Sequence, residues 1–467
     1  PAIPAAGLAA GGFVPSDPRD IATDFDPVND RESYGFAAHA EFALGNTTLK
    51  SISSYRHSNY ALLAGADGTS ATLGQINYFT KSARQYSQEL QLSGDVGSLK
   101  FLLGAYYFDE KVKGGSIIPL NLQLLGGPDL LTQGLSNLGT LHRKAAAGFG
   151  QLDYDLSDQL TLTLGGRYSW EEYNVDDFTS FDLSTPYPPY VDLLVPVNHG
   201  GGNSATDKSF TPKFQISYKP RQDMMFYVSV SKGFKSGGFD IGTTTPGFEP
   251  ETLWAYEGGI KSTFADGRVR INAAGFYYDY TNLQVSKVLF NVVQILNAAS
   301  SVVYGAEAEL TIIPVDGFQI DASPAWLHTE YKDFETANPS FPGESLAEQD
   351  RSGNQLIQAP EMTFNLGAQY SWNMPDGRMT LRGEMKYQDR IYFTAFNEKP
   401  VSRQPNTKFN AFLNYEGDSW DVSLYVLNLT NKTTVANALA AGIIFGAPVL
   451  GTLEPPRTYG IKVGYRF

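Results

Sequence analysis

The chain closes on RTYGIKVGYRF, Arg457 to Phe467, and the order of side chains in this stretch decides the fold. Tyr459, Ile461, Val463, Tyr465 and Phe467 fall on one side of an extended strand. Gly460, Lys462, Gly464 and Arg466 fall on the other. Chain termini usually fray into polar disorder. This one keeps a period of two with one apolar and one polar face, the pattern of a half-exposed antiparallel strand.

The same alternation runs back through the chain. In MTLRGEMKYQDR, Met379, Leu381, Gly383, Met385 and Tyr387 oppose Thr380, Arg382, Glu384, Lys386, Gln388 and Arg390. LTLTLGGRYSWE sets Leu160, Leu162, Leu164, Tyr168 and Trp170 against Thr161, Thr163, Arg167, Ser169 and Glu171, and WDVSLYVL repeats the pattern from Trp420. Composition agrees: aromatics reach 13%, and 46 glycines punctuate the 467 residues, a mix that suits pleated strands and reversals.

The connections alternate strictly, short then long. Short turns lie near Gly45-Asn46, Asp95-Gly97, Ser157-Asp158, Pro220-Asp223, Ala265-Gly267, Pro314-Gly317, Pro375-Gly377 and Glu416-Ser419. Long segments lie around 59–82, 112–142, 173–207, 235–251, 283–299, 332–360, 393–405 and 428–456. Tight turns at one end and long loops at the other are the asymmetry of a transmembrane β-barrel, whereas a sandwich has no reason to keep that order. The count is about seventeen strands of about ten residues, the length a tilted strand needs to cross a bilayer. Tyr168 with Trp170, Tyr370 with Trp372, and Tyr465 with Phe467 stand at strand ends on the apolar face, as interfacial girdles do. The rival reading, a soluble core, would put more Lys and Glu on the polar faces.

Other classes are excluded by what the chain lacks. No cysteine is present, so disulfides and thiolate metal sites are out. A net charge of −14 disfavours nucleic acid. No run reaches the ~18 apolar residues of a membrane helix; the closest, Ala438 to Gly451, is broken by Pro448 and reads as a loop. No secretory signal is visible, and the turn-rich start PAIPAAGLAAGGFVP at Pro1 reads as a processed or truncated chain.

With the strands in place, the chain from Tyr34 to Phe467 resembles a TonB-dependent receptor of the Gram-negative outer membrane. The resemblance rests on SKGFKSGGF (Ser231 to Phe239), EPETLWAYEGGIKS (Glu249 to Ser262), FYYDYTNLQV (Phe276 to Val285) and NAASSVVYGAEAEL (Asn297 to Leu310). FTAFNEKP (Phe393 to Pro400), NLTNK (Asn428 to Lys432) and PPRTYGIKVGYRF complete it, in the family's order. It implies a 22-strand barrel filled by an N-terminal plug. No plug, no TonB-contacting box and no first strands are found here. Residues 1–467 therefore read as the C-terminal part of the barrel domain, with 1–31 as an extracellular loop. About seventeen strands leave two edges, near Tyr34–Phe42 and Thr458–Phe467, and unpaired edges are costly in lipid. The expected sheet is gapped and C-shaped, or forced into a smaller closure.

The resemblance also implies active uptake of a scarce bulky nutrient, with a ferric siderophore as the default and cobalamin, haem or oligosaccharide as alternatives. Its implied partners are the TonB–ExbB–ExbD complex, reached through the missing plug, and outer-membrane lipid. A passive porin-like channel and a soluble all-β binding or enzyme domain are the rival readings. Enzymatic motifs are thin: five histidines, no H-E-x-x-H and no G-x-S-x-G. Gly233 to Gly238 has the outline of a phosphate loop but lacks its G-K-[ST] ending, and reads as strand entering loop. Asp17, Asp20, Asp24, Asp26 and Asp30 form an acidic stretch without a calcium-loop spacing, so no metal or cofactor is assigned. The polar ladder Arg382, Glu384, Lys386, Gln388 and Arg390 should face the lumen, to contact plug or substrate or to pair across strands. Tyr187, Tyr190, Tyr331, Phe341 and Phe396 are loop or loop-edge aromatics available to stack on a ligand.

Overall fold

The computed structural model describes residues 5–65, 67–118, 121, 135–182, 198–200, 203–240, 247–289, 292–338, 346–440 and 449–466. One antiparallel sheet dominates. Its strands are β1 (Val28–Leu44), β2 (Thr47–Gly65), β3 (Gln75–Val96), β4 (Leu99–Ile118), β5 (Leu135–Asp155) and β6 (Leu160–Asp182). There follow β7 (Asn203–Arg221), β8 (Met224–Lys235), β9 (Glu251–Phe264), β10 (Val269–Leu289), β11 (Val292–Val315) and β12 (Phe318–Asp333). The last are β13 (Met362–Met374), β14 (Gly377–Gln388), β15 (Asn406–Gly417), β16 (Trp420–Leu427) and β17 (Thr458–Tyr465). A three-residue piece, Asn198–Gly200, prolongs β7 along β6, so the eighteen-stranded sheet is seventeen strands plus that extension. Each strand pairs with the next in sequence.

All eight expected tight turns are present, as connections of two to four residues between successive strand pairs from β1–β2 to β15–β16. Gly317 shows why glycine stands in them. Its φ is +83°, and a Cβ there would meet the Ser371 carbonyl oxygen at 2.4 Å.

The strands are longer than the alternation suggests, from 8 residues in β16 to 24 in β11. A strand of 24 residues reaches roughly 80 Å, far beyond a bilayer core of about 30 Å. Much of what reads as long loop is paired strand: β10 continues to Leu289 and β11 begins at Val292, inside the stretch 283–299. Backbone pairing continues past the apolar band because hydrogen bonding does not depend on side-chain polarity, whereas alternation stops where both faces meet water. The stretch Ala438 to Gly451 is also more than loop, since Val435–Ala440 pairs with Val449–Leu453. That hairpin packs on Ile391, Phe393 and Val401.

Apolar side chains point outward, as the alternation requires. On β17 Tyr459, Ile461, Val463 and Tyr465 are 78%, 63%, 54% and 55% exposed; Phe467 lies outside the described residues. Cross-strand aromatic rows line the outer face, with Tyr55 and Tyr86 at 4.8 Å and Tyr277 and Tyr304 stacked at 6.3 Å. Among the described residues β1 pairs only with β2 and β17 only with β16, so the sheet is open, with both edges where the sequence puts them. Among the described residues the two ends approach at the loop rim. Arg19 Nη2 donates to the Asn431 carbonyl at 3.5 Å, and a Cβ on Gly68 would lie 2.7 Å from the Leu450 side chain.

The segment before β1 is not wholly irregular: Ala5–Ala9 forms a five-residue helix, α1. Ala6 and Ala10 pack on Ala71, Leu73 and Ile118. Gly12 permits this close approach, since a Cβ there would sit 2.4 Å from Thr69 Oγ1. Beneath it Asp67 is buried, accepting from Thr69 N at 2.9 Å and Thr69 Oγ1 at 2.5 Å. Burial outweighs those bonds and raises its carboxyl above the usual 3.8. A raised acid stabilises the fold in its protonated form, so this contribution is full below 3.8 and is lost as pH rises through the raised value. Cleavage of residues 5–13 by an acid-tolerant protease should therefore slow as pH falls from neutrality, and Asp67→Asn should flatten the dependence. An unchanged profile in Asp67→Asn would place the titration elsewhere.

Candidate functional site: inner wall and loop collar

The inner face of the sheet carries the polar half of every strand. On β14, Arg382 is held from three sides: Nη1 donates to Asp321 Oδ2 and Gln369 Oε1, both at 3.0 Å, and Nε to Glu384 Oε1 at 2.8 Å. Asp321 accepts further bonds from Gln319 Nε2 at 2.8 Å and Thr311 Oγ1 at 3.1 Å. The network thus crosses β11 to β14 and braces the wall by mutual pairing. Higher on the ladder Gln388 accepts from Arg403, which pairs with Glu454 at 3.0 Å, and Glu454 also takes Lys408. This second network ties the wall to the two loops after β14 and β16.

Between the networks stands Lys386, exposed to the lumen and opposite Asn365 and Lys408 in register. It forms no ion pair among the described residues, while Lys408 shares the Glu454 carboxylate with Arg403. Arg390 is a correction to the ladder. β14 ends at Gln388, and Arg390 instead donates to Gln404 Oε1 at 2.7 Å within the following loop. Alternation cannot locate the residue at which a strand stops.

A second feature was not singled out from sequence. Tyr227, Glu257, Lys261, Asn272, Glu307, Glu309, Ser323 and Asn365 surround a recess of about 490 Å³ on the lumen side of β8 to β13. Tyr227 Oη donates to Glu257 Oε1 at 2.5 Å. The available signal was a carboxylate at the inward position next to an outward tyrosine, as in Tyr256-Glu257.

Above the wall, the loops after β12 and β14 fold onto each other as a collar. Tyr331 is 1% exposed and packs with Val285, Ala298, Phe334 and Ala395. Burial pushes its phenol above the usual value. Gln355 N donates to Asn397 Oδ1 at 2.8 Å and Asn397 Nδ2 returns a bond to the Gln355 carbonyl at 2.9 Å. Tyr331 is therefore the core of the collar and offers no ring to a ligand, because the hydrophobic contacts of its two neighbouring loops close over it. Phe396 is half-buried with the Arg351 guanidinium 5.0 Å above its ring. Tyr187, Tyr190 and Phe341 lie outside the described residues. Farther round the rim, Asp207 takes the Tyr173 hydroxyl and Gly237 N at 2.8 Å, drawing the loop after β8 inward.

The arrangement supplies charges, amides and hydroxyls around a lumen. Among the described residues no group of three or more potential metal-ligating side chains is formed, the acidic stretch 17–30 included. Asp17 accepts from Arg19 N at 2.9 Å in a local turn.

Comparison with known proteins gives the same architecture. Residues 4–429 match the family model of the TonB-dependent receptor-like β-barrel. A probable TonB-dependent siderophore receptor, PiuA of Acinetobacter baumannii, is 24% identical over 236 residues, 48% of this chain and 30% of that receptor. The ferric yersiniabactin uptake receptor FyuA of Yersinia pestis superposes with a TM-score of 0.77 at 18% identity, over 95% of this chain and 62% of FyuA. The copper transporter OprC superposes at 0.67 with 12% identity, over 94% of this chain and 65% of OprC. The chain thus spans less than two thirds of the length of these relatives. The open sheet, its outward apolar band and the family match together assign the chain to the TonB-dependent receptor β-barrel family, integral to the outer membrane.

Proposed function

We propose that this wall belongs to a receptor for active uptake of a ferric siderophore, energised through a TonB contact on a plug domain. The observation that carries the substrate class is Lys386, a cation on the lumen face that forms no ion pair among the described residues and stands opposite Lys408, which shares the Glu454 carboxylate with Arg403. A ferric chelate is bulky and oxygen-rich and commonly anionic, and it is recognised by such a cation together with amides and aromatic edges. The kinship with receptors described as taking up ferric chelates supports the same reading. TonB, with ExbB and ExbD, is the expected energy source, and the lumen recess around Glu257 and Glu307 is the surface a basic plug segment would meet.

Deleting the full gene should slow growth under iron limitation with a ferric siderophore as sole iron source. Lys386→Glu should weaken binding of an anionic ferric chelate about tenfold or more, as reversal of an attractive charge at the contact face. Growth that depends on copper, cobalamin or a glycan instead would overturn the substrate. Uptake that persists without TonB would favour a passive channel.

A further inference from the structure

Among the described residues four prolines stand within wall strands, Pro212 and Pro220 in β7, Pro314 in β11 and Pro324 in β12. A proline has no N–H to give a ladder, so in sheets it belongs at edges, strand ends and bulges. Three of the four keep to that rule. Pro212 precedes Lys213, at which the pairing of β7 with β8 stops. Pro220 lies in the register shift between Tyr218 and Arg221, and Pro314 in the one between Ile312 and Val315.

Pro324 breaks it. On either side of Pro324, β12 pairs with β11, Ala325 with Glu307 and Ala322 with Leu310, but the two steps between, Ala308–Pro324 and Glu309–Ser323, are unpaired. Toward β13 the ladder is continuous, with Pro324 opposite Phe364. The absent N–H therefore points to β11. One donor accounts for both lost steps. In the antiparallel alternation Ala308 and Pro324 would exchange bonds directly, and the next pair, Glu309 and Ser323, is bracketed by the same N–H. The Ala308 carbonyl is left without its ladder donor inside a barrel wall, where an unmade backbone bond is costly.

The wall is also thin at this step. On the lumen side lies the recess of about 490 Å³ that holds Glu257 and Glu307. Directly behind it, on the outward face, an apolar groove of about 570 Å³ opens between Phe226, Ile260, Trp326 and Met362. Ala273, Ala274, Ala308, Pro324 and Ala325 line both spaces, so one layer of backbone and small side chains separates them. Trp326 meets Tyr304 edge-on at 5.9 Å in the outer aromatic row, which puts the groove on the lipid-facing band.

We propose that β11 and β12 part at Pro324, joining recess and groove into a side opening through which small apolar molecules pass between lumen and bilayer. Parting there breaks fewer backbone bonds than at any fully paired step of the same ladder. Backbone groups freed on the lumen side meet a polar recess, the setting in which irregular backbone is tolerated at membrane depth. Local opening belongs to segments with few bonds to lose, and this step has one fewer than its neighbours. The opening is independent of the substrate proposed for the lumen, since it rests on one absent donor and two spaces back to back.

The test uses the full receptor in vesicles, with bromohexane dissolved in the bilayer as the apolar probe and quencher. The chain has no cysteine, so one introduced thiol carries a fluorophore without background. A label at Ser323→Cys, on the lumen side of the gap, should be quenched more strongly than one at Gln215→Cys. Gln215 also faces the lumen, between the outward Phe214 and Ile216 of a fully paired stretch. Pro324→Val supplies the donor and should bring quenching at Ser323→Cys down to the Gln215→Cys level. It should also slow amide exchange at Ala308 and Leu310 about fivefold, the worth of one ladder hydrogen bond. A second variant leaves Pro324 in place: Glu309→Cys with Ser323→Cys sets two thiols on a closely spaced pair that a disulfide can bridge. Oxidation should slow the same amides, and reduction should release them. Equal quenching of the two labels, quenching unmoved by Pro324→Val, or exchange unmoved by both Pro324→Val and the disulfide would each overturn the proposal.

Discussion

Tyr331→Ala should loosen the extracellular collar by about 3–5 kcal/mol, the cost of removing a fully enclosed aromatic from a packed core. Tyr331 is 1% exposed and its neighbours come from three separate stretches, Val285 and Ala298, Phe334, and Ala395, so truncation leaves a cavity that no single loop can fill. The hydroxyl adds a smaller share, since the ring supplies the contacts with Val285, Ala298, Phe334 and Ala395. Tyr331→Phe should therefore lose only about 0.5–1.5 kcal/mol. Hydrogen exchange at the amides of Gln355 and Leu356, which bond Asn397 Oδ1 and Thr329 Oγ1, reads the effect locally. Wall strands should keep their protection toward the tight turns, where the ladders of β10 to β12 run on away from Val285, Ala298 and Tyr331. Collar amides that stay as protected in Tyr331→Ala as in the wild type would contradict the packing assigned here.

Leu381→Arg should cost about 2–4 kcal/mol in a bilayer, the penalty of a cation at mid-depth on a barrel's lipid face. Leu381 is 52% exposed and lies on β14 between two lumen residues, Thr380 and Arg382. Thr380→Arg, one residue away on the opposite face, should cost no more than about 1 kcal/mol, chiefly its hydroxyl bond with Ser371 at 2.9 Å. Denaturant midpoints of the two variants in lipid measure the difference. Equal costs would mean that the two faces are not separated between lipid and lumen.

The face assignment behind this second prediction was legible in the sequence, residue by residue. Leu381, Tyr459 and Ile461 read as outward and are outward, and the eight tight turns stand where Gly, Pro, Asp and Ser place them. A period of two needs only neighbouring residues to be read. The site was less legible. Arg382 could be placed on the lumen face, but its partner Asp321 is 61 residues away, and only the β12–β13–β14 register brings them to 3.0 Å. Tyr331 reads as a loop-edge aromatic free to stack, yet the loop after β14 returns Ala395 to cover it. Lys386 looked no different from Arg382 until each cation's partners were known.

By itself, then, the sequence determined which side of every wall strand meets lipid, where the tight turns lie, and which two strands are the ends of the sheet. These follow from local alternation, from turn chemistry and from a count. The tertiary structure alone decided how far pairing runs beyond the apolar band, which lumen charges are neutralised and which are left free, and which loop aromatics are buried. Those outcomes depend on register between strands and on loops far apart in sequence meeting in space, and no local pattern of residues encodes either.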